Sequence, residues 1–308
     1  MADQSAIEWT DTTWNPVTGC DRVSPGCANC YALTLAARLK RMGLAQYQVD
    51  GDPKTSGPGF GVTLHPHILD KPLRWRKPRR VFVNSMSDLF HEAIPDEYVQ
   101  RVFAVMAASP QHTFQVLTKR PKRMRDLVAE MGRNADISEH VAPGLVPMPW
   151  PLPNVWLGVS IENRRFVDRA DLLRQTPAAV RFISAEPLLG PLLPDADYMV
   201  DYEHETYPIG DAPVYAWRPW ADGYDGPGIN LEEIDWLIVG GESGQGHRPV
   251  KPQWVQDLRD YTQEECWQGE REGVTRFFFK QWGGPKPTSG GRELDGRTWD
   301  EYPEIAAT

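Results

Sequence analysis

Val81-Phe-Val-Asn-Ser85, then Ile94-Pro-Asp-Glu-Tyr-Val-Gln-Arg-Val-Phe-Ala-Val-Met-Ala107, then Phe114-Gln-Val-Leu-Thr118 read as strand, helix and strand. Short Val- and Phe-rich runs bounded by polar residues suit buried strands, where branched and aromatic side chains pack on a pleated surface. Between them Pro95, Asp96 and Glu97 suit a helix start, and Val99, Val102, Phe103 and Met106 fall at i, i+3, i+4 and i+7. A strand, a one-faced helix and a second apolar strand form a βα unit of parallel sheet.

The same strand pattern recurs at Val155–Ser160, Arg181–Ala185, Trp236–Val239 and Phe277–Lys280, with a further strand expected before Cys20. Helical spacing recurs at Phe166, Ala170 and Leu173, and over Tyr31–Met42 with Leu35, Leu39 and Met42 as its apolar positions before Gly43. Six or seven βα units predict an α/β fold, a complete or partial parallel barrel in preference to a doubly wound sheet. Residues 44–66, 132–154 and 190–233 lack sustained periodicity and read as loops inserted into a single domain over 1–308. The tail, about 284–308, is expected to wrap or fray.

A chain with 41% hydrophobic and 24% charged residues has the make-up of a globular protein. No apolar run is long enough to span a bilayer and Met1–Thr10 lacks a signal-peptide pattern, so a cytoplasmic protein with no membrane partner is expected. The formal charge of −9 excludes nucleic-acid binding by bulk electrostatics and leaves only local basic patches.

Three of the four cysteines lie in Gly19-Cys-Asp-Arg-Val-Ser-Pro-Gly-Cys-Ala-Asn-Cys-Tyr31, a spacing unlike a disulfide framework. Cys20, Cys27 and Cys30 place three thiols on one loop between the first strand and the first helix. Thiolates suit iron–sulfur clusters and zinc alike. Their number favours a [4Fe–4S] cluster, because a structural zinc closes with four protein ligands whereas three cysteines leave one iron of a cubane open. A zinc site completed by Cys266 or one of the seven histidines, or a group of buried structural cysteines, stays open on spacing alone.

The expected strands end in polar residues: Ser85, Ser87 and Asp88; Thr118 and Lys119; Ser160, Glu162 and Asn163; Ser184 and Glu186; Glu242 and Ser243; Lys280 and Gln281. In a parallel barrel the C-terminal strand ends carry the chemistry, so this repetition points to one pocket. Gly240-Gly-Glu-Ser-Gly-Gln-Gly246 follows a strand but lacks the P-loop Lys-Ser/Thr.

Ile7-Glu-Trp-Thr10 through Cys30-Tyr-Ala32, Phe82–His91, Val116–Pro121, Leu157–Asn163, Phe182–Pro187, Val239–Gly244 and Phe278–Gly283 together resemble the phage-associated three-Cys-motif family, across nearly the whole core. That family is similar to radical SAM enzymes, especially the group resembling spore photoproduct lyase. The resemblance implies a [4Fe–4S] cluster on Cys20, Cys27 and Cys30, S-adenosylmethionine, an electron donor protein and a 5′-deoxyadenosyl radical that takes a substrate hydrogen. By position it places Ser85, Ser87 and Asp88 at the cofactor's amino acid end or ribose, Lys119 at a carboxylate, and Glu162 and Glu186 at ribose or substrate. Two features differ from the usual pattern: the first gap has six residues instead of three, and Asn29 replaces an aromatic before the last cysteine. Ser24-Pro25-Gly26 is a turn former that loops out the extra residues, and Tyr31 or a backbone group is left to contact adenine.

Two basic clusters, Lys71, Arg74, Arg76, Lys77, Arg79 and Arg80 around Trp75, and Lys119, Arg120, Lys122, Arg123 and Arg125, have the composition of phosphate-backbone sites or of solvated faces. With the resemblance they point to a nucleobase, nucleotide or nucleic-acid substrate. Trp156, Trp236 and Trp254 are expected in the core, and Trp9 and Trp14 beside the thiol loop suit shielding or packing. Two other functions remain: a non-enzymatic zinc-binding adaptor for nucleic acid or protein, and a hydrolytic barrel using Glu162, Glu186 and Glu242. The expected partners are the electron donor protein, a nucleic-acid or nucleotide substrate and a partner protein at the site.

Overall fold

The computed structural model describes residues 5–133, 149–193, 228–263, 275–286 and 288–304. Seven strands, β1 (Thr12–Trp14), β4 (Arg80–Val83), β5 (Thr113–Thr118), β6 (Val155–Ser160), β7 (Val180–Ala185), β8 (Trp236–Gly240) and β9 (Arg276–Gln281), pair in that order. Every pairing is parallel, and the sheet curls into a half-barrel flanked by helices. The barrel is therefore partial, with β1 and β9 as its two edges. A separate antiparallel pair, β2 (Val17–Thr18) and β3 (Thr63–Leu64), ties residues 44–66 back to the start of the chain, so that segment is anchored and is not a simple loop.

Side chains of alternating parity separate into two layers, as the period of two along a strand requires. Val81, Val83, Phe114, Val116, Leu157, Ile183, Leu237 and Phe277 face outward and share one core with α2 (Asp96–Ala107), α3 (Pro121–Arg133), α4 (Asp168–Arg174) and α5 (Pro252–Gln263). Val99, Val102, Phe103 and Met106 of α2 are buried in this layer, as their spacing predicts. Phe82, Trp156, Phe182, Trp236, Ile238 and Phe278 have the opposite parity and fill the concave face together with Trp9. Trp236 is the hub, with ring centroids 6.2 Å from Trp9, 5.7 Å from Trp156, 5.9 Å from Phe182 and 5.1 Å from Tyr302. Gly158 makes this packing possible, since a Cβ there would stand 2.5 Å from the Phe182 ring.

Trp9 and Trp14 are both core residues, which favours packing over shielding: Trp14 lies in the outer layer and its Nε1 donates to the Ile68 carbonyl at 3.1 Å. The tail wraps. Phe279 N donates to Trp299 O at 2.9 Å, and Phe278 bridges Asp300, which covers the β9 edge.

Helix α1 (Tyr31–Arg41) corrects one expectation. Ala32 and Ala36 are its buried positions, packed with Tyr47, Phe60 and Met86, while Leu35 and Met42 are exposed. The helix lies against the 44–66 segment, where Leu39 packs partly buried as expected and close contact favours the small Ala32 and Ala36 over Leu35 and Met42. A Cβ at Gly59 would meet the Ala36 carbonyl at 2.9 Å, which measures how near the two backbones come.

Truncating the hub should show what the concave face is worth. Trp236→Ala is expected to cost about 3–5 kcal/mol, read by denaturant unfolding, and a loss below about 1 kcal/mol would mean that the inner layer contributes little.

Candidate functional site

The thiol loop leaves β2 through Gly19, whose φ of +91° is open to glycine and whose Cβ, if present, would lie 2.2 Å from Gly61 O. Gly19 N donates to Met86 O at 2.9 Å, Cys20 N to Phe60 O at 3.3 Å and Arg22 N to Thr55 O at 2.8 Å, so the first cysteine is set by the β4 loop and the 44–66 segment. Ser24-Pro25-Gly26 forms the expected turn, a single 3-10 turn over Pro25–Cys27. Cys30 then caps α1, and its carbonyl accepts from Leu33 N at 3.2 Å. All three thiols are free and half-buried.

Two carboxylates at strand ends hold this loop over the barrel mouth. Glu162, fully buried after β6, accepts from Gly26 N at 3.2 Å and from Arg169 Nη1 at 3.0 Å. Glu242, after β8, accepts from Asn29 Nδ2 at 3.0 Å and from Arg248 N and Nε at 2.9 Å each; Arg248 Nη2 also donates to Pro25 O at 3.0 Å. Each carboxylate thus carries its own arginine and uses what capacity remains on the loop.

Beneath the loop the concave face turns polar. Lys119 Nζ donates to Ser160 Oγ at 2.5 Å, and Ser160 Oγ donates to the Glu186 carbonyl at 3.1 Å. Ser184 Oγ donates to Glu186 Oε2 at 3.1 Å, and Lys280 Nζ pairs with Oε1 at 3.0 Å. Gly240 leaves room for that carboxylate, because a Cβ there would be 2.8 Å from Glu186 Oε1. Lys119, Ser160, Ser184, Glu186 and Lys280 are thereby brought together in one hydrogen-bonded lining.

The β4 loop has a different task. Ser85 Oγ donates to Asn15 Oδ1 at 3.2 Å and its carbonyl accepts from Tyr31 OH at 2.5 Å; Ser87 Oγ donates to Val17 O at 2.9 Å. Asp88 receives Phe90 N at 3.0 Å, Thr118 Oγ1 at 2.7 Å, Lys119 N at 3.0 Å and Arg120 Nη1 at 3.1 Å. With four donors on two buried oxygens, Asp88 braces the β4 and β5 loops. Two arginines of the second basic cluster are likewise used as internal braces: Arg120 is buried, and Arg123 donates to His91 O, Ile94 O and Asp96. Lys122 is exposed and Arg125 bonds Asp126 and Gln175 at the surface, so part of the cluster braces the fold and part is a solvated face.

Sequence reading did not reach Asn15, Asn29, Arg169 or Arg248 as site residues, nor the role of Arg120. The available signal was an arginine six or seven residues after a strand-end carboxylate, at Arg169 after Glu162 and Arg248 after Glu242. Cys266 lies outside the described residues.

Burial, followed by the Asp88 carboxylate, pushes the Cys20 thiol up to about 12 against the opposing Arg120 charge, and burial also raises Cys30. Soft ligands of this kind give up their protons on binding metal. Among the described residues no set of three or more His, Cys, Asp or Glu side chains converges as ligands of a single metal ion would. A cubane is broader than one ion and takes thiolates from a wider ring, so three thiols on one braced loop, with an N–H from Arg120 on Cys20, fit a cluster by donor type and number.

Two variants test this bracing. Gly19→Ala should destabilise the fold and speed alkylation of the three thiols, and unchanged labelling would show that the β2 exit does not set the loop. Burial raises the pKa of Glu242, but its bonds from Arg248 and Asn29 outweigh this and leave it below the ordinary 4.5. Its contribution is therefore present above 4.5 and lost as the pH falls through the lowered value. Glu242→Gln should cost about 1–3 kcal/mol at pH 7, and the gap from wild type should close in acid below that value.

Comparison with curated proteins found no match, and comparison with solved structures found none either. Residues 4–303 match a family described as Protein of unknown function (DUF5131). That match spans the thiol loop and all seven strands of the half-barrel, and the chain belongs to this family.

Proposed function

We propose that the chain is a radical SAM-type enzyme whose Cys20, Cys27 and Cys30 hold a [4Fe–4S] cluster with S-adenosylmethionine at its open iron. One observation carries the reading: three free thiols sit on one loop that Glu162 and Glu242 fasten over the polar, concave end of a parallel half-barrel. Held by Cys20, Cys27 and Cys30, the cluster would supply one-electron reductive chemistry on S-adenosylmethionine, and through it the means to remove a hydrogen from substrate. The protein binds, orients and excludes water. Lys119 supports a carboxylate contact, Glu186 with Lys280 offers both an acceptor and a cation, and Tyr31 at the mouth suits an aromatic wall. The bracing role of Asp88 and Ser87 moves the proposed cofactor contacts from those two side chains towards Ser85 and its neighbours.

The substrate proposed with this reading carries a nucleobase, and a separate protein delivers the electron. The Trp75 cluster supports a polyanion contact away from the mouth: it precedes β4, Lys71 and Arg79 flank the ring at 5.6 and 5.2 Å, and the thiols follow strand C-termini. The zinc-adaptor reading needs a fourth ligand, and Cys266 lies outside the described residues; the hydrolytic reading needs free carboxylates where Glu162, Glu186 and Glu242 are each ion-paired. Among the described residues no helix is long and apolar enough to cross a membrane.

Anaerobic reconstitution with iron and sulfide should give about four irons per chain, an electron paramagnetic resonance signal altered by S-adenosylmethionine, and 5′-deoxyadenosine. Alanine at Cys20, Cys27 and Cys30 should abolish all three. One zinc per chain with no cofactor cleavage would replace this reading with the adaptor, and hydrolysis that survives loss of the cysteines would replace it with the carboxylate enzyme.

A further inference from the structure

We infer that Arg120 sets the reduction potential of the cluster as a positioning residue that acts through Cys20; this rests on the cluster reading above. The Arg120 side chain is 6% exposed. Its Nη1 donates to Cys20 Sγ at 3.4 Å and to Asp88 Oδ2 at 3.1 Å, its Nη2 to Asp21 O at 3.4 Å, and its Nε to Glu92 Oε1 and Oε2 at 3.2 and 3.1 Å. The planar fork is thus clamped from three sides with one N–H left on the sulfur, a geometry that lysine's single ammonium does not reproduce.

A cationic N–H on a ligand sulfur withdraws electron density and stabilises the more negative, reduced state, so it raises the potential. Burial keeps the charge from being screened by water. Two carboxylates oppose it unequally. Asp88 is buried and saturated by Phe90, Thr118 and Lys119, whereas the Glu92 side chain is 71% exposed and its charge is largely solvated. Cys27 has a neutral neighbour, the Ser24 hydroxyl at 3.8 Å. Arg120 thus places a buried arginine N–H on the first cysteine, while the cationic charge that reaches Cys30 is that of Lys119, with no hydrogen bond from it to that sulfur among the described residues.

The test is a one-electron redox titration of the reconstituted holoprotein with dithionite, followed by electron paramagnetic resonance, with iron counted in every sample. Arg120→Gln should load with iron yet be harder to reduce, its oxidised-to-reduced ratio at a fixed potential rising about tenfold, ~59 mV for one electron. Arg120→Lys should fall between Gln and wild type. Glu92→Gln should shift in the opposite direction, because it removes a negative charge while leaving the N–H on sulfur. Equal iron and equal potential in wild type and Arg120→Gln overturns the inference and leaves the cluster standing. Loss of iron from Arg120→Gln together with a wild-type potential in Arg120→Lys, or loss of iron from both, marks Arg120 as merely structural and overturns it as well. A wild-type chain that takes up no iron overturns the cluster reading itself, and the inference falls with it.

Discussion

A parallel sheet that curls half way round has a concave face with no second sheet opposite, and both faces of parallel strands must be covered. How that face is filled organises the rest of the molecule. Over most of its length Phe82, Trp156, Phe182, Trp236 and Phe278 close it, with Trp9 from the N-terminal segment and Tyr302 from the tail brought in as lids. The strand period of two then carries the same inward parity to the C-terminal ends, where it lands on Lys119, Ser160, Ser184, Glu186 and Lys280. One geometric rule therefore makes an apolar floor and a polar mouth from the same strands.

The mouth is roofed by a loop whose cysteines are positioned by backbone groups belonging to other elements. Glu162 and Glu242 reach it from β6 and β8, and Met86, Phe60 and Thr55 fix its beginning. Buried carboxylates are tolerated because Arg169 and Arg248 neutralise them, and breaking either pair would leave an uncompensated charge. Glycine serves the same end by close approach: Gly19 against Gly61, and Gly240 against Glu186. The loop is thereby tied to the barrel at several points, and its three thiols are free of one another.

Much of this was legible in the residues. Strands of Val, Ile and Phe and the one-faced helix at 96–107 appear where their patterns put them, because burial on both faces of a parallel strand demands continuous apolar runs. The half-closed barrel, by contrast, depends on whether the edges β1 and β9 meet, which no local pattern encodes. Helix α1 turns Leu39 inward as its spacing predicts but leaves Leu35 and Met42 exposed, because the partner backbone comes so near that Ala32 and Ala36 make the contact.

The sequence by itself determined the βα alternation, the three thiols on one loop and the polar character of the strand ends, since each depends on residue type and spacing along the chain. Only the tertiary structure decided which of those polar groups remain at the mouth and which become struts. In a linear reading Asp88 looks like a pocket residue and Arg120 like part of a basic patch, yet Asp88 spends its oxygens on Phe90, Thr118, Lys119 and Arg120, and Arg120 turns inward to Cys20. The physical reason is that a buried charge must be satisfied by partners from whatever elements lie within hydrogen-bond reach, and those partners come from distant parts of the chain.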